Sequence, residues 1–268
     1  MPLSTVLFLF LTHLGVGIVL TLVFVSREAG VKFFRFNAGL AAILLVIALA
    51  FRVTGGSRAT APDVALVACT IAVVVYWATV GRMLAKIRPT LVGFAVGTGI
   101  TALVLQALTI AAGRSLPMQA LTVASFLSSA ALLGGACTAM ILGHWYLVIP
   151  SMQVSHLQSI VKVHIASMVV RVAVVGAVVF VAIATAFAAQ PEVGPSFRHY
   201  ITSVAGIFFW QRVLFGLAGP AVLSYLTWET AKIRSTQSAT GILYVDFFMI
   251  VVGEVLAKYL LLAARVPV

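Results

Sequence analysis

The chain has 268 residues, 62% of them hydrophobic and 9% charged, with a mean hydropathy of +1.17. A soluble domain carries roughly 25% charged and 45–50% apolar residues, so a water-soluble fold is excluded, and at ~20 residues per span the length leaves no room for a soluble catalytic domain beside a helical bundle. The formal charge of +11 sits mostly at the ends of apolar runs, which fits lipid headgroups and membrane orientation and excludes a nucleic-acid partner.

An outer-membrane barrel needs ~10-residue segments of alternating polarity, whereas 40–51, LAAILLVIALAF, is apolar on every face. The fold class expected is an all-α integral membrane bundle. Segments rich in Gly, Pro or charge at 26–35, 52–63, 82–89, 113–117, 148–158, 190–198 and 229–237 divide the chain into eight transmembrane helices. These cover about 3–25, 36–52, 63–82, 90–112, 118–147, 159–188, 200–227 and 238–262. The first lacks a basic segment before it and a small-residue cleavage site after it, and reads as a retained helix. Cys69 and Cys137 each stand alone within a span and read as packing residues. No repeat or low-complexity tract divides the sequence, so residues 1–268 form one expected transmembrane domain.

Cytoplasmic loops hold the excess of Lys and Arg. Alternate loops carry Arg27, Lys32, Arg35, Arg82, Lys86, Arg88, Lys162, Lys232 and Arg234 on one side, against Arg52, Arg58, Arg114, Arg198 and Arg265 on the other. That bias places both termini on the non-cytoplasmic side.

Arg171, Arg212 and Lys258 fall inside spans together with His13, Asp246 and Glu254. An ionisable group at a helix centre costs about 2.5–3.5 kcal/mol on insertion scales, so each is expected to face the interior, pair, or line a path. Glu254 and Lys258 have the i,i+4 order that favours an ion pair; the alternative is a proton path, with Asp246 and Glu254 as proton-transfer carboxylates. Arg212 has no neutralising group within four residues on its own helix, so its partner is expected from another, with Asp246 and Glu254 on the following helix as the choices. It serves either as interhelical glue or as donor to a ligand carbonyl. His13, followed by Gly15 and Gly17, is either an interhelical hydrogen-bonding group or a quinone contact. The string Gly143-His144-Trp145-Tyr146-Leu147 reads as an interfacial aromatic belt or as a quinone headgroup site using His144 and Tyr146. His144 and His164, on adjacent helices, are the alternative axial ligands of a haem b, with Arg171 about 10 Å from His164 on the same face. No Walker A, H-E-x-x-H or G-x-S-x-G motif is present, which argues against a self-contained enzyme.

Several of these strings resemble the quinol-interacting membrane anchors of molybdopterin oxidoreductases, the dimethyl-sulfoxide-reductase anchor and its polysulfide-reductase and nitrite-reductase-type relatives. Gly253-Glu254-Val255-Leu256-Ala257-Lys258 is similar to that anchor's Gly-Glu-x-x-Gly-Arg, with Ala257 and Lys258 in place of Gly and Arg. Trp210-Gln211-Arg212 looks like its Trp-Arg, and His13 before a Gly-rich turn is similar to its opening helix. The resemblance implies a multi-pass subunit of a prokaryotic inner (cytoplasmic) membrane that binds menaquinone or ubiquinone and exchanges electrons with a partner's iron–sulfur or cytochrome subunit. His13, His144, Tyr146 and Arg212 would contact quinone, while Asp246 and Glu254 would move protons. A b-type haem anchor, a small-solute transporter and a structural subunit of a larger assembly are the other readings.

Overall fold

The computed structural model describes residues 3–54, 59–81, 87–148, 153–188, 197–203 and 206–268. Among these every regular element is helical: α1 (Leu3–Leu22), a 3-10 turn (Arg27–Ala29), α2 (Gly30–Thr54), α3 (Ala61–Thr79), α4 (Arg88–Ile110), α5 (Leu116–Val148), α6 (Val154–Ala188), a short α7 (Phe197–Thr202), α8 (Ile207–Val213), a π turn (Leu214–Ala218), α9 (Gly219–Lys232) and α10 (Thr236–Ala263). Among the described residues seven stretches are long and apolar enough to cross a membrane: Leu3–Leu22, Arg27–Val53, Ala61–Thr79, Arg88–Ile110, Leu116–Val148, Val154–Ala184 and Ile207–Lys232. The 28-residue α10, which carries Asp246, Glu254 and Lys258, stands outside that set. The chain has the make-up of an all-α, multi-pass membrane protein.

The distribution of side chains suits a lipid solvent. Arg171 and Arg212 are among the largest fully buried side chains, whereas Ile43, Val222 and Phe248 face outward and Phe180 is 72% exposed. In water this would be inverted; in a bilayer, charge turns inward because lipid offers it no partner.

Helices α1 to α4 pack in succession, with α4 closing on α1, and α5, α6, α9 and α10 form a second such ring, with α10 closing on α5. These are two up-and-down four-helix sets, joined where α1 packs on α5 and α10 and where α4 packs on α5. The α1–α5 seam depends on glycine. A Cβ on Gly17 would collide with the Ala130 carbonyl oxygen, and one on Gly134 would collide with the Gly17 backbone. One turn further along α1, the Thr21 and Thr138 hydroxyls meet at 2.7 Å across the same seam.

The seventh expected span, 200–227, differs from what forms. Helix α7 ends at Thr202 and a new helix starts at Ile207, because the chain folds back on itself: a Cβ on Gly206 would lie 2.6 Å from the Tyr200 carbonyl oxygen, and Trp210 Nε1 donates to the Ile201 carbonyl at 3.0 Å. The π turn that follows has a cause in Pro220, which has no N–H to offer the Gly216 carbonyl. The Gly219 N–H instead reaches back five residues to the Leu214 carbonyl.

Gly17→Leu should therefore destabilise the protein by more than the ~1–3 kcal/mol usual for overpacking, since backbone blocks the new side chain. Gly97 has open space where a Cβ would stand, with nothing within 4 Å of it, so Gly97→Ala should leave the thermal midpoint in detergent unchanged or slightly raised. Equal midpoints for the two variants would contradict the seam.

Candidate functional site

Side chains from α5, α6, α8 and α10 converge on one carboxylate. Arg171 of α6 donates to Glu254 from Nε at 2.9 Å and from a terminal nitrogen at 3.2 Å, and Arg212 of α8 donates to it at 2.8 Å. Lys258, one turn along α10, lies 3.3 Å from the same carboxylate, and Ser129 of α5 donates its hydroxyl to it at 2.5 Å. All of these side chains are buried.

The Ser129 hydroxyl has one hydrogen, and Glu254 takes it. Lys258 Nζ at 2.7 Å and His13 Nδ1 at 3.0 Å must then both donate to the Ser129 oxygen. That network assigns the Nδ1 proton of His13 and brings α1 into the cluster. His13 Nε2 has no partner among the described residues, and the His13 ring packs edge-on against Phe126 at 4.7 Å. Arg171 is held further by the Ser125 hydroxyl at 2.8 Å, the Ser125 carbonyl at 3.1 Å and the Val268 carbonyl at 3.3 Å.

Arg212 is less well satisfied. Its Nε and Nη1 have no partner among the described residues, and Nη1 occupies the space that a Cβ on Gly216 would need. A Cβ on Gly253 would collide with Gly216 Cα, so these two glycines let the π turn cross α10 beside the guanidinium. Three cations around Glu254 leave a formal excess of positive charge among the described side chains.

A second polar cluster lies between α6, α9 and α10. His164 Nε2 of α6 is 2.7 Å from Asp246 Oδ2 of α10 and 3.0 Å from Ser224 Oγ of α9. His164 Nδ1 and Asp246 Oδ1 have no partner among the described residues. His164 and Arg171 are seven residues apart on α6, and Asp246 and Glu254 eight apart on α10, about 10 and 12 Å along parallel axes. The result is a two-rung ladder between α6 and α10.

The expected residues are thus sorted into different places. Glu254, Lys258, Arg212, Arg171 and His13 come together; Asp246 joins His164 instead. Glu254, not Asp246, is the partner of Arg212. His144 and His164, expected as alternative axial ligands of a haem b, do not form a pair. His164 lies beside Gly135 on α5, and His144 is nine residues further along that helix, about 13 Å away, exposed and 3.1 Å from the Tyr244 hydroxyl. His164 Nε2 is committed to Asp246 and Ser224 inside the bundle and His144 Nδ1 to Tyr244 at its surface, so the two rings serve different partners. The Tyr146 hydroxyl donates to the Gln153 carbonyl and accepts from the Leu157 N–H at 3.2 Å, pinning the α5–α6 connection. Sequence reasoning missed Ser129 and Ser224, whose small hydroxyls resemble packing residues.

Two cavities of about 440 Å³ flank the bundle. One lies between α6 and α9 and has Ser224 in its lining; the other lies near the ends of α1 to α4, beside Arg27, Tyr76 and Val92. Comparison of the chain with protein families, with curated proteins and with solved structures gives no match.

Glu254→Gln should be strongly destabilising, by about 3–5 kcal/mol, because it strands buried cations. Lys258→Met removes part of the charge excess at similar volume and should leave the thermal midpoint unchanged or raised. A Lys258→Met loss as large as that of Glu254→Gln would contradict this charge balance.

Proposed function

We propose that the chain is a quinone- or quinol-interacting electron-transfer subunit, exchanging electrons with an iron–sulfur or haem centre on a partner and moving the accompanying protons on its own carboxylates. The observation that carries this reading is the pair of carboxylates, Asp246 and Glu254, buried at two levels of α10 with hydrogen-bonded groups around each and unpartnered nitrogen or oxygen atoms beside them. In this reading α10 is the eighth span, both termini are non-cytoplasmic, and the membrane is the inner membrane of a prokaryote. With only two cysteines, both buried, the chain relies on its partner for any cluster.

A bound menaquinone or ubiquinone supplies two-electron, two-proton chemistry. Asp246, held against His164, is the group that holds and releases protons inside the bundle, while Glu254, held by Ser129 and three cations, keeps its charge and fixes the electrostatics of the path. Arg212 Nη1, a donor, and His13 Nε2, an acceptor once Nδ1 carries the proton, are unpartnered polar atoms suited to holding a proton-relaying water. His164, held by Asp246 and Ser224, and His144, held by Tyr244, do not fit a bis-histidine haem b. The positive excess around Glu254 favours one other reading, a small-solute transporter for an anion.

The test is quinol oxidation by the complex purified in mild detergent with whatever subunits accompany it. Asp246→Asn should assemble normally and lower turnover about 100-fold, the scale of a lost proton-transfer group. Wild-type turnover in that variant, or a chain purified alone that transports an anion and lacks quinol activity, would overturn the reading.

A further inference from the structure

The α6–α9 cavity opens on the outer flank of the bundle and is walled by Ile165, Met168, Val169, Ala221, Tyr225 and Trp228. Its apolar wall includes outward-facing Val169 and Tyr225. One end is marked by Trp228, with Lys162 Nζ 5.3 Å and Lys232 Nζ 5.4 Å from its ring centre. Lysines over an indole are typical of the bilayer interface, so the cavity runs inward from the headgroup level. At about 440 Å³ it falls within the range of small-molecule sites, ~300–1,000 Å³.

Its polar floor is Ser224, which is 2% exposed. His164 Nε2 carries at most one hydrogen, and the Asp246 carboxyl oxygen at 2.7 Å is the nearer of its two partners for it. Ser224, 3.0 Å from the same nitrogen, then has its own hydrogen free for another acceptor, and it makes no other hydrogen bond among the described residues. An apolar, aromatic-walled cavity reached from lipid, with one neutral donor at its floor, matches a flat ring bearing a carbonyl oxygen and an isoprenoid tail. It does not match an anionic lipid headgroup, whose charge would stay with Lys162 at the rim.

We propose that this cavity seats the quinone ring, with the Ser224 hydroxyl donating to one ring carbonyl and the His164–Asp246 pair fixing the direction of that hydroxyl. The proposal rests on the quinone reading above and places the ring on the α6–α9 flank, away from His13. Ser224 is the binding residue and His164 acts through it as a positioning residue, while Asp246, besides holding His164, is the nearby proton site.

The experiment is photolabelling of the purified complex, in lipid nanodiscs, with an azidoquinone, and mapping of the adduct by mass spectrometry. The label should fall within 162–169 or 221–228 and disappear when excess unlabelled quinone is added. Ser224→Leu should weaken this labelling at least about tenfold, the scale of one lost hydrogen bond, while Ser224→Thr, which keeps the hydroxyl, should retain it. Displaceable label near His13, or near Arg27, Tyr76 and Val92, would overturn this site and leave the quinone reading standing. Label in the cavity that excess quinone does not displace would overturn the site as mere partitioning into lipid. Absence of displaceable label anywhere would overturn both.

Discussion

Glu254 is the common acceptor on which side chains of α5, α6, α8 and α10 converge. Its two oxygens receive Arg171, Arg212, Lys258 and Ser129, and through Ser129 the cluster extends to His13. At a wet surface such pairs contribute only about 0–1 kcal/mol each. In a bundle surrounded by lipid the partners have no water to turn to, so a wrong register strands charge in hydrocarbon. The glycine contacts serve this geometry: Gly17 and Gly134 bring α1 to α5, where His13 meets Ser129, and Gly216 and Gly253 bring the π turn to α10, where Arg212 meets Glu254.

Much of this arrangement was legible in the sequence, because charge inside an apolar run must turn inward. Arg171, Arg212, Asp246, Glu254 and Lys258 stood out for that reason, and the need for Arg212 to find a partner on another helix followed from its isolation. The matching spacing of His164 to Arg171 and of Asp246 to Glu254 was also present as a signal, one that becomes informative once α6 and α10 are known to run parallel. Ser129 and Ser224 were not legible: a serine among alanines and glycines looks like a small packing residue until its partners are seen. The His144–His164 pairing failed because sequence adjacency of two helices does not fix depth. Pro220 marked a break in helical bonding without revealing that a π turn, and not a kink, would absorb it.

The two polar clusters differ in access. The Glu254 cluster is closed, with its members shielded by α1, α5, α6, α8 and α10. The Asp246 cluster reaches the flank through Ser224, which lines the lipid-facing cavity. A membrane-dissolved redox carrier approaches from the side, as this arrangement allows, whereas a hydrophilic solute would need a route from the aqueous ends. In the proposed reading Asp246 is the proton site, and Glu254, about 12 Å along α10, is the fixed charge that holds the cations.

The central claim is that a carboxyl buried on α10 changes its protonation as quinone is reduced. Infrared difference spectroscopy of the complex, reduced minus oxidised, in H2O and in D2O, tests it directly. The account predicts a carboxylic-acid C=O band that shifts in D2O and is absent from Asp246→Asn. A wild-type difference spectrum without any carboxyl band, or one unchanged in that variant, would contradict it.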